Sequence, residues 1–295
     1  NFDSISSFTL QTVAKSAARI YGQTYRLWME WNDTSGDPLD LRPARVMAFI
    51  EAQDTTKTTR QRQLSALRKF AQMRYVLDPS DDAKRQLEAL QLIKVQGDAE
   101  RGQERTRKAL TPAEADRVLR VWSDNTCIAR RNRALIALLA LTGIRRAEAA
   151  SLRWTDIDFD HGVIAIRHGK GDKERSAPIA GEYALAALRE WQFAQGDEHT
   201  YIFCPVNKGD KAGADKPITG TDVYRIVQST VTLSGVSFKP HDLRRTFITE
   251  ALSTGTPIQT VQAAAGHARG ETTLKYAQTV NAREARKALK LRYGD

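Results

Sequence analysis

The 295-residue sequence has few cysteines and no long apolar run. Its two cysteines, Cys127 and Cys204, are too few for a disulfide framework and lack the paired spacing of a zinc site. The longest apolar run, Ala134 to Leu141, is far shorter than the ~18–20 residues of a membrane-spanning helix. The N-terminus lacks the charged start and apolar stretch of a secretion signal. We therefore expect a cytoplasmic protein with no membrane segment.

Several common catalytic motifs are also missing. The sequence has no Gly-x-x-x-x-Gly-Lys-Ser/Thr phosphate loop, no Gly-x-Ser-x-Gly nucleophile elbow and no His-Glu-x-x-His zinc helix. No group of carboxylates along the chain indicates a two-metal nuclease. These absences exclude P-loop nucleotide-binding enzymes, serine hydrolases with a nucleophile elbow and zinc enzymes with this helix motif. We expect neither a metal nor a cofactor.

Positive charge is what the sequence has in excess. Lysine and arginine total 45 against 35 acidic residues, which gives a net charge of +10. Such a balance favours a polyanionic partner, and without a membrane anchor nucleic acid is the natural one. The segment from Thr55 to Leu77 has no acidic residue, and its apolar side chains fall on one side of a helix. The opposite, basic face is either a DNA-binding surface or simply solvated; its candidate contacts are Lys57, Arg60, Arg62, Arg68 and Lys69.

The composition changes near residue 97 and again near residue 109. Apolar residues at helical spacing predict a helical bundle over residues 1–96, with helices over 9–31, from Pro43, over 55–77 and over 81–95. Residues 97–109 lack apolar anchors and form a predicted basic linker. Its candidate DNA contacts are Arg101, Arg105, Arg107 and Lys108.

A second domain is predicted over residues 110–295. Thr111, Pro112 and Glu114 form a capping box at its start, and Thr142-Gly143 ends a helix that is apolar on all sides. Strands are predicted over 154–159, 163–167 and 174–179, joined by short Gly-containing turns. Helices are predicted near 181–195, 219–233, 242–254, 257–266 and 271–278. The expected fold class is mainly α with a small antiparallel β-sheet.

Four short motifs follow one another in this second domain. They are Thr-Gly-Ile-Arg-Arg-Ala-Glu from Thr142, Gly-Lys-Gly-Asp-Lys-Glu-Arg from Gly169, His-Asp-Leu-Arg-Arg-Thr from His241, and Gly-His at 266–267 with Tyr276 nine residues after the histidine. In this order they resemble the tyrosine recombinases, or phage integrase family, over nearly the whole chain. The histidine–leucine–arginine motif and the spacing to the tyrosine are fairly specific, whereas Gly-Lys-Gly alone is weak.

The resemblance implies a role for each motif residue. Arg145 and Arg244 match the two catalytic arginines, whose guanidiniums neutralise the scissile phosphate. Tyr276 matches the nucleophile. Lys170 matches a lysine general acid and His241 a histidine base. His267 matches a contact to the phosphate or the nucleophile, and Glu148 a supporting acid. Each also has a plainer interpretation, such as a solvated turn lysine or a packed aromatic. Arg146 is an alternative to Arg145, and Lys173 is an alternative to Lys170. Glu148 lies one helical turn after Arg145 and can orient its side chain, which favours Arg145.

The family also implies a partner and an assembly. Relatives clamp duplex DNA between two domains like a letter C, and the first domain here matches their helical core-DNA-binding domain. Relatives pass a C-terminal helix to a neighbouring protomer, so we expect a homotetramer on two specific DNA sites. Here the tail from Asn281 to Leu291 either does the same or folds back on its own domain.

The expected function is therefore site-specific DNA recombination in a bacterium, phage or mobile element. Strands are cleaved and rejoined through a 3′-phosphotyrosine that conserves bond energy, so neither ATP nor metal is required. The same residues also fit a type IB topoisomerase or a hairpin telomere resolvase. A DNA-binding regulator that has lost catalysis is the alternative from another class, and the complete motif set speaks against it. Many integrases carry a further N-terminal arm-binding domain. This sequence begins at the helical bundle, so we expect either a simple Xer-like or Cre-like enzyme or one from which that domain was removed.

Overall fold

The computed structural model describes residues 1–95, 109–167, 174–266 and 273–274. The chain divides between residues 105 and 106 into two compact units. The first unit is helical and the second combines helices with one small sheet, so the predicted fold class is confirmed. The predicted linker, 97–109, falls almost wholly outside the described residues, so its bounds stay a prediction.

Five helices make up the described part of the first unit, residues 1–95, around an aromatic core. Phe2 stacks on Phe70 with ring centroids 4.4 Å apart, and Trp28 meets Phe49 edge to face. The buried side chains of the fourth helix include Leu64, Leu67, Phe70, Ala71 and Met73, on the face that the sequence predicts. The helices are α1 (Phe2–Gln11), α2 (Lys15–Ser35), α3 (Pro43–Ala52), α4 (Lys57–Leu77) and α5 (Asp81–Leu92).

The single helix predicted over residues 9–31 is wrong. The structure has two helices there, because α1 ends at Gln11 and α2 begins at Lys15. The Thr12 backbone N–H and hydroxyl both donate to the Thr9 carbonyl, at 3.1 and 2.8 Å, and so close the end of α1. Ala14 then takes an extended conformation before α2. Apolar spacing continues through this break, which is why periodicity alone does not reveal it.

Seven helices and a three-stranded antiparallel sheet make up the described part of the second unit. The sheet has the order β1-β2-β3, with Ile164 opposite Ala177 and Ile166 opposite Arg175. Its strands are β1 (Ile157–Asp158), β2 (Val163–Ile166) and β3 (Arg175–Pro178). The helices are α6 (Pro112–Arg120), α7 (Cys127–Thr142), α8 (Arg146–Ala150), α9 (Glu182–Gln195), α10 (Gly220–Ser234), α11 (Pro240–Ser253) and α12 (Ile258–Ala265).

The first predicted strand, 154–159, is correct only at Ile157–Asp158. Trp154–Asp156 forms a 3-10 helical turn instead. The buried Asp156 carboxylate accepts the Arg153 backbone N–H at 2.9 Å, and the Asp156 N–H donates back to the Arg153 carbonyl at 2.9 Å. These reciprocal bonds stabilise the turn over an extended strand.

Helix α7 is the centre of the second unit. Leu135, Ile136 and Leu138 are fully buried, as the all-round apolar run predicts. The capping box at Thr111 forms as predicted, with the Glu114 carboxylate accepting the Thr111 N–H at 2.8 Å. Within the described ranges, no helix is both long and apolar enough to cross a membrane. Those ranges also contain no cluster of three or more His, Cys, Asp or Glu side chains suited to a metal.

Candidate active site

Arg145 lies at the N-cap of α8 and is held by Glu148. The Glu148 carboxylate reaches back one turn, so that its Oε2 accepts the Arg145 backbone N–H at 2.7 Å. Its Oε1 accepts Nη1 of the Arg145 guanidinium at 2.8 Å. The supporting contact expected from their three-residue spacing is therefore present.

Glu148 is a buried carboxylate. Its side chain is 3% exposed, whereas that of Arg145 is 30% exposed. Burial alone raises the pKa of Glu148, but hydrogen bonds from Arg175 and Arg145 outweigh it and lower the pKa to about 2. Glu148 therefore remains ionised over the whole range of ordinary assay conditions and provides a fixed negative charge behind the guanidinium.

Arg145 has a second anchor at the end of α12. Its Nη2 donates to the Gly266 carbonyl oxygen at 2.9 Å, across 121 positions of the chain. Gly266 caps α12 in the left-handed conformation, with φ of +66°. In the described part of the chain these anchors use two of the five N–H donors of a guanidinium, and the side chain is partly exposed. Arg145 is thus held in place and still accessible to a phosphate.

Arg244 reaches the same region from α11. It is 2% exposed, and its Nη1 donates to the Gly143 carbonyl oxygen at 2.6 Å. Gly143 caps α7 with φ of +63° and comes two residues before Arg145. A Cβ at Gly143 would lie 2.5 Å from Cδ1 of Phe247, so only glycine fits where this carbonyl meets Arg244. The structure therefore brings both predicted arginines to the turn between α7 and α8.

Arg146, the rival of Arg145, lies elsewhere. Its side chain is exposed and lies beside the first residue of α10, where a Cβ at Gly220 would be 3.4 Å from its Nε. The Arg145 side chain, in contrast, meets Glu148 and Gly266. The geometry therefore favours Arg145 as the arginine of this site.

The other predicted catalytic residues are only partly described. His241 is exposed on α11, one turn before Arg244. Lys170, His267 and Tyr276 lie outside the described residues. Their catalytic roles stay predictions.

Arg175 is a residue of this site that the sequence analysis does not single out. It begins β3, and its Nη1 and Nη2 donate to Glu148 Oε1 and Oε2, both at 2.9 Å. The available signal was its place as the last residue of the motif that starts at Gly169. Its contact with a carboxylate 27 positions away is a tertiary contact, which produces no periodic pattern in the sequence.

The predicted DNA contacts of the first unit differ in their surroundings. Lys57 and Arg62 are exposed, whereas Arg60 and Lys69 are half-buried. Arg68 donates to the carbonyls of Leu90, Gln91 and Ile93 at the end of α5, which is a structural role. The linker candidates at 101, 105, 107 and 108 lie outside the described residues.

Comparisons with known proteins identify the family of the chain. Residues 108–283 match the phage integrase family. The chain is 38% identical to the tyrosine recombinase XerC of Pediococcus pentosaceus over 154 residues, which cover 50% of this chain and 49% of that protein. It is 32% identical to XerC of Lacticaseibacillus casei over 247 residues, 80% of this chain and 77% of the relative. The first of these alignments thus spans about half of the relative's length.

A solved structure shares the fold. The XerH site-specific recombinase, bound to a palindromic difH substrate in a post-cleavage complex, aligns with a TM-score of 0.69 at 21% identity. The alignment covers 92% of this chain and 78% of that one. The family match covers more than half of the chain, and the second relative is similar over most of it, so the predicted family is confirmed. The chain belongs to the phage integrase family of tyrosine recombinases, enzymes that cleave and rejoin DNA.

Proposed function

We propose that this protein is a site-specific recombinase that cleaves and rejoins duplex DNA through Tyr276. The observation that carries the proposal is the convergence of Arg145 and Arg244 on the turn between α7 and α8, each anchored to a glycine carbonyl. Two anchored arginines that meet at one turn suit a phosphorane-like transition state, whose non-bridging oxygens gain negative charge. Their pre-set positions stabilise that charge without reorganisation during the reaction.

In the proposed reaction the Tyr276 hydroxyl attacks the scissile phosphorus. A tyrosine hydroxyl has a pKa of about 10 and needs a base, for which His241 is the candidate. The bond from phosphorus to the 5′ oxygen breaks, and Lys170 supplies a proton to that oxygen. His267 contacts the phosphate. The 3′-phosphotyrosyl ester keeps the energy of the broken diester, so attack by a 5′ hydroxyl from another strand rejoins DNA without ATP.

Covalent capture on nicked duplexes tests this proposal. A nick beside the scissile phosphate releases a short strand and traps the adduct, and DNA flanking the gene that encodes the protein is the first source of substrates. Wild type and Tyr276→Phe are incubated with EDTA and run on denaturing gels. We expect a slow-migrating adduct with wild type alone. An adduct that persists in Tyr276→Phe would contradict the assignment of the nucleophile.

A second assay distinguishes recombination from the rival activities. Two labelled duplexes of different length, each with the cleaved site, report exchange, and a supercoiled plasmid without that site reports relaxation. We expect recombinant products and little relaxation of the plasmid. Relaxation without exchange would favour a topoisomerase, hairpin products a telomere resolvase, and binding without an adduct a catalytically silent regulator.

The partners and assembly belong to the same proposal. The substrate is duplex DNA at specific sites, in the cytoplasm and at the nucleoid, and the active assembly is a homotetramer on two sites. XerH is a relative in fold that is bound to such a DNA substrate, and the net charge of +10 favours the same partner.

An apolar groove supports exchange of the C-terminal tail between protomers. Its volume is about 300 Å³ and it lies between α6, α7 and α11, with Leu141, Phe247 and Ala251 among its lining residues and Glu250 at its edge. The tail over 281–291 has alanines and leucines interspersed with basic side chains, so it matches the groove in polarity and in charge. We propose that the groove of one protomer receives the tail of the next.

Two variants test this exchange. Truncation after residue 280 removes the tail, and Ala251→Arg fills the groove with a bulky side chain of the same charge as the tail. Both should bind a single DNA site but give no tetramer in light scattering of the DNA complexes. A tetramer that survives both changes would place the contact elsewhere.

A further inference from the structure

Arg175 contacts both groups that hold Arg145. Its guanidinium donates to both oxygens of Glu148 at 2.9 Å, and Glu148 also accepts Nη1 of Arg145. The same side chain lies against Gly266, where a Cβ would be 2.6 Å from Cδ and 2.7 Å from Cζ of Arg175. Gly266 is the acceptor for Nη2 of Arg145. Arg175 therefore contacts both groups that anchor Arg145, the Glu148 carboxylate and the turn at Gly266.

The burial of Arg175 separates its role from that of Arg145. Its side chain is 14% exposed, against 30% for Arg145, and its Nε is a buried atom. Its terminal nitrogens are directed at the Glu148 carboxylate. A planar guanidinium fork that meets both carboxylate oxygens fixes the plane of the carboxylate, which a single ammonium group does not do. Arg175 thus sets the orientation of Glu148.

The position of Arg175 links three segments of the predicted site. It is paired with Ile166 across the base of the hairpin whose connection, 167–174, includes Lys170. Glu148 lies in α8 beside Arg145, and Gly266 directly precedes His267 in sequence. Arg175 therefore begins the strand that follows the Lys170 segment, and its side chain contacts the segments that carry Arg145 and His267.

We propose that Arg175 is a positioning residue for DNA cleavage, which fixes the Glu148 carboxylate and the Gly266 turn and so holds the Arg145 guanidinium at the scissile phosphate. The proposal rests on the function proposed above. Arg175 acts through Arg145 and does not itself contact the DNA.

Three variants test this role on a nicked duplex that wild type cleaves. Arg175→Gln removes the charge and the fork, and Arg175→Lys keeps the charge alone. Arg133→Gln is the matched control, because Arg133 is also 14% exposed and pairs with a glutamate, Glu190, on another helix. We expect adduct formation to slow by about 100-fold in Arg175→Gln and about 10-fold in Arg175→Lys. Arg133→Gln should stay within about 3-fold of wild type, since neither Arg133 nor Glu190 belongs to a predicted catalytic motif.

A substrate with an uncharged linkage separates positioning from general damage. A methylphosphonate at the scissile position has a methyl group in place of one non-bridging oxygen, so it lacks the negative charge that Arg145 is proposed to neutralise. If Arg175 acts through Arg145, the loss in Arg175→Gln should shrink to about 3-fold on this substrate. The affinity for uncleaved duplex, measured separately, should change by no more than about 2-fold, because Arg175 is proposed to act through Arg145 without contacting the DNA.

The results distinguish a failure of the proposed function from a failure of the role proposed for Arg175. Adduct formation by wild type on the normal duplex reports the proposed function, whereas the ratio between variants on the two substrates reports the role of Arg175. An equal loss in Arg175→Gln on both substrates would overturn the proposal and indicate a structural role. Full activity of Arg175→Gln on the normal duplex would overturn it as well.

Discussion

Arg244 donates to the carbonyl oxygen of Gly143 at 2.6 Å, although the two residues are 101 positions apart. Arg145 makes the corresponding contact with Gly266. Both glycines cap a helix in the left-handed conformation. The last carbonyls of a helix carry partial negative charge and lack intrahelical partners. Each arginine of the site is thus held by a carbonyl at a helix C-terminus, whose partial negative charge is complementary to the guanidinium.

Replacing Gly266 by alanine should lower stability more than the same change at Gly235. Both residues cap a helix, with φ of +66° and +68°, so they share the backbone strain of about 1 kcal/mol. A Cβ at Gly266 would also overlap Arg175, whereas at Gly235 it meets nothing within 4 Å. We expect a total loss of about 2–3 kcal/mol for Gly266→Ala, measured by urea unfolding. Equal losses in the two variants would contradict the contact with Arg175.

The stability difference between wild type and Glu148→Gln should depend on pH. The pKa of Glu148 is about 2 in the folded chain, below its ordinary value of 4.5, because the hydrogen bonds of Arg175 and Arg145 outweigh the effect of burial. A carboxyl with a lowered pKa stabilises the folded state fully above its unfolded pKa. That contribution, about 3 kcal/mol, is lost as the pH falls from about 4.5 towards 2.

The measurement is the free energy of unfolding of both proteins at several pH values between 6 and about 2. The difference should be constant above about pH 5 and shrink below it. Glu51→Gln, a change at an exposed position of the other unit, controls for the loss of one negative charge. A difference that stays constant down to the lowest pH would show that Glu148 is not held ionised by its arginine partners.

Arg145 and Arg146 are adjacent in sequence and should differ sharply in function. Arg145→Ala should slow cleavage by about 1000-fold, because it removes a fixed charge at the transition state. Arg146→Ala removes an exposed side chain beside Gly220 and should slow cleavage by less than about 5-fold. Single-turnover adduct formation at saturating protein measures both rates. The reverse order would make Arg146 the catalytic arginine.

The basic residues of α4 should separate into DNA-binding and structural groups. Changing the exposed Lys57 and Arg62 to alanine together should weaken DNA binding and reduce the slope of log K against log salt concentration by about 2. Lys84→Ala, an exposed change on α5, is the control and should leave the slope unaltered. Arg68→Ala should instead lower stability, because Arg68 binds carbonyls at the end of α5. A normal slope in the double variant would exclude this face of α4 from the DNA interface.

Local signals in the sequence were sufficient for most of the fold. The capping box at Thr111, the buried run of α7 and the end of α7 at Gly143 each depend on neighbours within a few positions, so the sequence predicts them. The break at Thr12 and the turn at Trp154 were missed, because hydroxyl and carboxylate contacts there override the periodicity of apolar residues.

The sequence predicts the contacts of the site that lie within one motif, but not those that join two motifs. The pair Arg145 and Glu148 follows from helical spacing within one motif. The contacts of Arg175 with Glu148 and of Arg244 with Gly143 join motifs that are far apart in the chain. Such contacts depend on how the helices and the sheet pack together, and no single motif contains that information.

Identification of the residue that is joined to DNA tests the central claim most directly. The covalent adduct is trapped on a nicked duplex, digested with nuclease and protease, and analysed by tandem mass spectrometry. The account predicts a nucleotide attached through phosphate to Tyr276, the residue that follows Lys275. Attachment to another residue, such as Tyr293 near the C-terminus, would contradict it.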